Sequence, residues 1–377
     1  MKKLLLIAAI GLALSPFMIS ALVLNLDAAN SSEEGYDEKV YVAIEAEGRV
    51  GVIDTASRKM IRSIDLSEVQ NNTFVKYTTH NVQVAPDGRM VLATANVDRD
   101  VMGENKSAKA EDVSDGLFDK IFIIDPLSDT IVGSLPIEID SHLAHVVVTN
   151  DGTLAYVASQ VKDRLYIIDL RDKKIIKTIS LDEGSAPHGL RLSTDNSKLY
   201  VALIGGKALA EIDLESYSVR KYPLSGAVIQ TAVSPDGNYV FGSVYDTKKV
   251  AWINTLTNEQ GYIDLPADAK GSVQLYPTPD SRYLYVVNQG YYFEQPTGNT
   301  VYRIDIERKK VDEIIPAGDA PHGIVVDKKG QFVYVTNLLS EDISIIETAS
   351  SKEVARVKVG EMPNGVSIWH TQMGGTP

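Results

Sequence analysis

The chain has 377 residues, of which 44% are hydrophobic and 23% charged, a composition typical of a single large globular domain. It contains no cysteine, which excludes disulfides, thiolate metal sites and covalently attached c-type haem. The formal net charge of −13 at pH 7, without a basic patch, argues against a nucleic-acid partner.

The N-terminus is predicted to direct export. Lys2 and Lys3 precede an almost wholly apolar stretch, residues 4–24, which is the pattern of a signal peptide. The stretch approaches the length of a membrane span, so an uncleaved anchor is the alternative, and it would be the protein's only contact with a membrane. We therefore expect a signal or anchor over residues 1–29, a linker over residues 30–37, and a periplasmic, extracellular or cell-surface location.

From residue 38 onward the sequence repeats. An apolar run occurs seven times, beginning at Tyr41, Val91, Tyr156, Tyr200, Val240, Tyr285 and Tyr334. A second run follows each copy and ends at Asp54, Asp125, Asp169, Asp213, Asn254, Asp305 and Glu347. The period of about 42 residues, with turn signals such as Pro86-Asp87-Gly88, is typical of propeller blades. The sequence predicts an all-β fold, a seven-bladed β-propeller of four-stranded blades over residues 38–370, followed by a disordered tail, residues 371–377.

The two ends of the repeat region are predicted to share one blade. The last apolar strand, residues 363–369, has the pattern of an innermost strand, but the other three strands of its unit do not follow it. Three strands without an inner partner lie between Val40 and Leu66. Pairing these segments closes the ring and removes the open sheet edges, so we expect a monomer.

The chain resembles the YVTN family of seven-bladed β-propellers, whose tetrapeptide stands at Tyr334-Val335-Thr336-Asn337 and, approximately, at six other positions. Its repeats are also similar to those of the propeller domains of nitrous oxide reductase and haem d1 proteins, which implies a metal centre or haem at the mouth of the central channel. The segments Pro187-His188-Gly189 and Pro321-His322-Gly323 are similar to those of seven-bladed lactonases and lyases. In that comparison no Glu or Arg falls at a matching active-site position.

Strand order predicts which face of the ring carries function. If strands A to D run outward from the channel, the B–C and D–A connections lie on the face where the A strands begin. Three insertions fall on such connections, namely residues 67–79, 97–117 and 289–300. The last contains Tyr291, Tyr292 and Phe293, which could roof the channel mouth or anchor a ligand. We expect a protein or a small molecule to bind on this face.

Four of the six histidines lie where A strands begin: His80, His145, His188 and His322. Aligned on the following turns, His80, His188, His322 and Asn364 share one column, and His145 falls one position later with Gln230 and Gln274. Adjacent strand residues point to opposite sides, so we expect His145 to be offset from the other three. His142, in the loop before it, would then compensate.

Three interpretations of these histidines stay open: packing or water binding, a metal site, and acid–base chemistry near neutral pH. For a metal site the candidate ligands are His80, His145, His188, His322 and His142, and the candidate cofactors are copper, zinc and haem.

Because no nucleophile motif or carboxylate cluster is found, our first hypothesis is a non-catalytic exported propeller that binds a partner on the histidine-bearing face. The first alternative is a redox or cofactor-handling propeller with a histidine site that binds metal or haem. The second alternative is an enzyme similar to the lactonases or lyases.

Overall fold

The computed structural model describes residues 37–70, 72–99 and 116–371. The predicted signal or anchor, the linker up to residue 36, residues 100–115 of the longest insertion and the tail after residue 371 lie outside it. In these described segments no helix combines the length and the apolar character needed to cross a bilayer.

Seven antiparallel sheets form the blades. The closing blade contains β31 (Pro363–His370), β1 (Glu38–Ile44), β2 (Arg49–Asp54) and β3 (Lys59–Asp65). Blade 1 contains β7 (Val82–Val84), β8 (Val91–Val97), β9 (Asp119–Asp125) and β10 (Thr130–Glu138), and β6 (Tyr77–Thr78) also pairs with β8. Blade 2 contains β11 (Leu143–Val148), β12 (Leu154–Ser159), β13 (Arg164–Asp169) and β14 (Lys174–Ser180).

The other four blades follow the same order. Blade 3 contains β15 (Pro187–Leu192), β16 (Lys198–Leu203), β17 (Ala208–Asp213) and β18 (Val219–Pro223). Blade 4 contains β19 (Val228–Val233), β20 (Tyr239–Val244), β21 (Lys249–Asn254) and β22 (Gln260–Asp264). Blade 5 contains β23 (Ser272–Pro277), β24 (Tyr283–Asn288), β25 (Thr300–Asp305) and β26 (Lys310–Pro316). Blade 6 contains β27 (Pro321–Val326), β28 (Phe332–Asn337), β29 (Asp342–Glu347) and β30 (Lys352–Lys358).

Three short elements decorate the connections. The hairpin of β4 (Glu68–Gln70) and β5 (Thr73–Val75) precedes blade 1. Two 3-10 turns, Glu45–Glu47 and Tyr291–Phe293, follow β1 and β24. The predicted seven-bladed β-propeller is therefore confirmed, and so is ring closure, since β31 pairs with β1.

The hydrophobic core is divided among the interfaces between blades. In the described segments it forms seven clusters, of which six lie between two successive blades and one joins blades 4, 5 and 6. Val40 and Val42 of the closing blade, for example, share a cluster with Val325 and Tyr334 of blade 6. Strands β1 and β28 are buried on both faces, which explains why the sequence shows unbroken apolar runs there instead of strict alternation.

The acidic or amide residue that ends each C strand holds the following turn, as expected from its recurrence. The Asp54 carboxylate accepts the backbone N–H of Ser57 at 2.8 Å. The same bond, three residues along the chain, recurs after Asp125, Asp169, Asp213, Asn254 and Asp305. These side chains are structural parts of the repeat.

One buried ion pair joins the closing blade to blade 1. The Lys39 ammonium donates to the Asp129 carboxylate at 2.8 Å and to the Pro126 carbonyl at 2.9 Å. Tyr41 donates to the same carboxylate. Lys39 is only 3% exposed, so Asp129 is a counter-ion to it inside the protein.

We expect Asp129→Asn to destabilise the protein by about 3 kcal/mol, because breaking a buried ion pair leaves one charge uncompensated. Asn tolerates the left-handed backbone at this position (φ 52°), so the change tests the charge and not the turn. The midpoint of denaturant unfolding measures the effect. Asp172→Asn, which removes an exposed pair with Lys174, should leave the midpoint unchanged. Equal midpoints for both variants would contradict a stabilising role of the Lys39 pair.

Candidate functional site

The inner strands are irregular where the histidines lie. Strand pairing shifts register between Leu143 and Val146 in blade 2, and between Pro187 and Leu190 in blade 3. Such β-bulges insert an extra residue and re-aim the side chains beside them. The offset of His145 was predicted from the regular alternation of side-chain direction along a strand. At the bulge this alternation is interrupted.

Three histidines meet at the channel mouth. The ring centroids of His145 and His188 are 5.0 Å apart, those of His80 and His188 5.2 Å, and those of His80 and His145 5.6 Å. One ligand nitrogen from each ring lies within 4.8 Å of the other two. The predicted offset of His145 is wrong, because the bulge turns it toward its neighbours.

His322 and His142 lie at the edge of this cluster. Their ring centroids are 6.3 Å and 5.6 Å from that of His80. Nδ1 of His322 contacts the side-chain amide of Gln289. Nε2 of His322 is buried and has no hydrogen-bond partner. All five predicted histidines thus lie together, but His142 is not needed to replace His145.

Hydrogen bonds fix which ring nitrogens face each other. Nδ1 of His188 lies 2.9 Å from the Ile229 carbonyl, which can only accept, so this nitrogen carries a proton. Nδ1 of His80 lies 3.2 Å from the Glu45 carboxylate, which selects the same tautomer. The two Nε2 atoms are 3.2 Å apart. With both Nδ1 atoms protonated, two neutral rings would direct lone pairs at each other, so the contact calls for either a proton on one Nε2 or a metal ion between the two nitrogens.

Burial keeps the surrounding imidazoles neutral. Burial and the neighbouring His188 hold the pKa of His145 well below its ordinary value, and burial and His80 do the same for the pKa of His188. Burial and His80 lower the pKa of His322 to about 3 and that of His142 to about 4. These rings are available as neutral nitrogen ligands at physiological pH.

Glu45 is the functional residue that sequence reasoning missed. Burial alone would raise its pKa, but hydrogen bonds from His80, Asn364 and Tyr292 outweigh burial and hold the pKa at about 2. Nδ2 of Asn364 donates to the carboxylate at 2.6 Å, and the Tyr292 hydroxyl donates to it at 2.8 Å. An ionised carboxylate is therefore held behind His80.

The position of Glu45 in the repeat is the sequence feature that could have identified it. Tyr41 and Tyr285 occupy the same register in the second strands of their blades, since each pairs with the corresponding residue of an inner strand. Glu45 and Gln289 both lie four residues after these tyrosines. Each side chain contacts the histidine of the next blade, His80 or His322. A polar residue at this position orients the following imidazole.

Of the two predicted glutamines, only Gln230 contacts the histidine cluster. The amide nitrogen of Gln230 lies 3.4 Å from both ring nitrogens of His145. Nε2 of Gln274 is buried without a hydrogen-bond partner. Gln230 thus contacts the cluster, and for Gln274 the structure shows no histidine contact.

The three aromatic residues of the last insertion have different surroundings. Tyr292 packs edge-on against His322 at 5.4 Å between centroids. Phe293 packs against Tyr245 at 3.6 Å, whereas Tyr291 is 41% exposed. Only Tyr292 of the three joins the histidine network.

Hydroxyl groups brace the backbone around the site. Thr336, the third residue of the YVTN tetrapeptide, accepts the Gly323 N–H and donates to the Asn364 carbonyl, both at 2.7 Å. Ser243 bridges blades 4 and 5 in the same way. These bonds replace ladder bonds that the bulges remove, so the backbone that carries the histidines is held rigidly.

Fold and site together define a seven-bladed β-propeller with a buried histidine cluster at its channel mouth. The Arylesterase family model matches residues 239–374, about a third of the chain, which includes Tyr292, His322 and Asn364 but not His80, His145 or His188. No curated protein matches the sequence.

Many solved structures are similar in fold, and two of them show the extent of the similarity. Hydrazine synthase of Kuenenia stuttgartiensis is 17% identical, with a TM-score of 0.65 over 84% of this chain and 94% of that one. A protein from Lactobacillus plantarum is 16% identical, with a TM-score of 0.64 over 89% of this chain and 99% of that one. At this identity the similarity supports the fold alone.

Proposed function

We propose that the protein binds one zinc or copper ion at the channel mouth through His80, His145 and His188. The observation that carries this proposal is the 3.2 Å approach of the Nε2 atoms of His80 and His188, whose Nδ1 atoms face a carboxylate and a carbonyl. Second partners of this kind fix the tautomer of metal-binding histidines and raise their basicity. Imidazole ligands suit zinc and copper.

The spacing fits a tetrahedral ion. With metal–nitrogen bonds of about 2.0–2.1 Å, two nitrogens of a tetrahedral site lie about 3.3 Å apart, close to the 3.2 Å between His80 and His188. One ring nitrogen of His145 lies within 4.8 Å of the other two, so His145 would have to move closer to complete the site. Three protein ligands leave a fourth position for water or substrate, as in catalytic zinc sites.

Metal analysis tests the proposal. We expect the protein purified without chelator to contain about one zinc or copper per chain, and the stripped protein to rebind one equivalent in a calorimetric titration. A stripped protein that binds neither ion above background would overturn the metal proposal. The non-catalytic binding propeller predicted from sequence would then be the remaining function, as export and YVTN membership are predictions that stand independently of metal.

Glu45→Gln should weaken metal binding about 10–100-fold, the usual effect of losing the partner that orients a histidine ligand. The amide keeps the size of the side chain but loses the charge that faces Nδ1 of His80. Competition with a chelator of known affinity measures the change. Glu47→Gln is the matched control, because Glu47 lies in the same 3-10 turn and bonds the Glu361 N–H instead. Equal metal affinities in the two variants would show that Glu45 does not support the metal site.

A second candidate function is hydrolysis of esters or lactones, supported by the Arylesterase match and by the open fourth ligand position. A zinc ion held by three histidines lowers the pKa of bound water to about 7. Water would add to the acyl carbon, the acyl C–O bond would break, and an acid and an alcohol or phenol would leave. This chain's Tyr292, which covers the mouth beside His322, would meet the entering ester.

Turnover of phenyl acetate and of a simple lactone separates the two functions. Activity that appears with metal, disappears on stripping and returns on reloading would support the hydrolase. Metal binding without turnover of either substrate would leave the protein as a metal-binding or cofactor-handling propeller, the first alternative predicted from sequence.

A further inference from the structure

We propose that the central channel, one level below the histidines, binds a small monoanionic carboxylate through Arg191. This is a second site with its own residues, and the inference does not depend on metal at the channel mouth.

Arg191 lies on an inner strand, three residues after His188, which corresponds to about 10 Å along β15. It pairs with Tyr200 of β16. The residues in the same register on the other inner strands are Gln83, Val147, Ala232, Tyr276, Val325 and Ser367. Inner strands border the channel of a propeller, so these seven residues form one ring of equivalent positions around it, in which the side chains of Val147, Ala232 and Val325 pack between blades.

The Arg191 guanidinium interacts electrostatically with side chains of other blades. The charge of Arg191 contributes to the low pKa of His145 in blade 2. Tyr276, two blades away in blade 5, acts in turn on Arg191. The intervening position in blade 4 is Ala232, whose side chain is a single methyl group.

Arg191 has no counter-ion in the described segments. Its one hydrogen bond goes to the carbonyl of its own neighbour, Leu190, at 2.9 Å, although a guanidinium has five N–H donors. No carboxylate forms an ion pair with it among the described residues, and the polar residues of its ring, Gln83, Tyr276 and Ser367, are all neutral. A partly buried charge without a partner costs stability, so a bound anion would stabilise the channel.

The chemistry of the ring selects the anion. A guanidinium binds carboxylate or phosphate with two parallel hydrogen bonds. One cation among neutral side chains compensates one negative charge, whereas a phosphate monoester carries about −1.5 to −2 at pH 7. The geometry therefore favours a carboxylate. Tyr276, two blades away, carries a hydroxyl that would donate a further hydrogen bond to the bound carboxylate.

The test is calorimetric titration of the whole exported protein with sodium acetate, with chloride and inorganic phosphate as comparison anions. We expect saturable acetate binding that is at least ten times tighter than that of either other anion. Arg191→Met, which keeps the length of the side chain but not the charge, should weaken acetate binding at least tenfold. The matched control, Arg171→Met, changes an exposed arginine in the turn after β13 and should bind acetate as the wild type does.

Folding and metal are controlled separately. Arg191→Met removes an unpaired charge, so its melting temperature without acetate should equal or exceed that of the wild type. Acetate should raise the melting temperature of the wild type only. Each titration is repeated on stripped and metal-loaded protein, so a failure of the metal proposal does not affect the result. Acetate binding that survives in Arg191→Met, or no saturable acetate binding at all, would overturn the carboxylate site.

Discussion

His188→Ala is expected to abolish metal binding, reducing the metal content from about one ion per chain to background. The imidazole supplies one of three ligand nitrogens and is the ring that faces His80 across 3.2 Å. Loss of an orienting partner alone weakens metal sites about 10–100-fold, so loss of a ligand should exceed about 100-fold. Metal content after dialysis and chelator competition measure the change.

The matched control is His322→Ala, because both histidines precede glycine at the start of an A strand. His322 lies 6.3 Å from His80 between ring centroids and is outside the group of three. It should therefore retain the metal. His145→Ala gives an independent test with the same expected loss as His188→Ala. Equal metal content in the His188 and His322 variants would exclude the proposed ligand set.

The contrast between these two histidines was not visible in the sequence. His188 and His322 occupy the same repeat position, whereas His145 is one position later. Strict alternation therefore groups the wrong residues. A bulge brings His145 toward His188, but the same bulge occurs beside His322, so the bulge does not separate these two histidines. His80, His145 and His188 come from the consecutive blades 1, 2 and 3, whereas His322 comes from blade 6.

The recurring runs also do not determine the strand register to the exact residue. The fold and the ring closure follow from the recurring runs, but two runs were indexed one residue early. Strand pairing places Leu92 and Phe241, not Val91 and Val240, in the register of Tyr200. An unbroken apolar run hides its phase, because every position in it is buried.

Glu45 escaped prediction for a related reason. It contacts His80, 35 residues later in the chain, because the closing blade lies beside blade 1. Its role becomes visible only when the closing blade is read as part of the repeat, where Glu45 corresponds to Gln289. Arg191 likewise has no distinctive motif, and only the ring of equivalent positions shows that its neighbours are neutral.

A chain that ends at Met362 is expected to lose the cooperative folded state, whereas a chain that ends at Thr371 should fold as the full protein does. The shorter chain lacks β31, which pairs with β1 from Glu38 to Ile44 and contacts β7 and β27 on either side. It also loses Trp369, whose indole donates to the Gly88 carbonyl at 2.8 Å.

The expected consequence is association as well as instability. Without β31, strand β1 is an unpaired edge with a buried, apolar surface, which is a template for pairing with a second chain. Losing one large core side chain costs about 3–5 kcal/mol, and the free energy of unfolding of a whole domain is about 5–15 kcal/mol. Removing the whole strand should therefore cost more than the free energy of unfolding of the propeller. Sedimentation velocity and thermal unfolding measure both effects. If the chain ending at Met362 is monomeric and melts as the full protein does, the ring does not depend on its closing strand. Trp369→Ala tests the packing of the same strand in a chain that still folds, and it should lower the free energy of unfolding by about 3–5 kcal/mol.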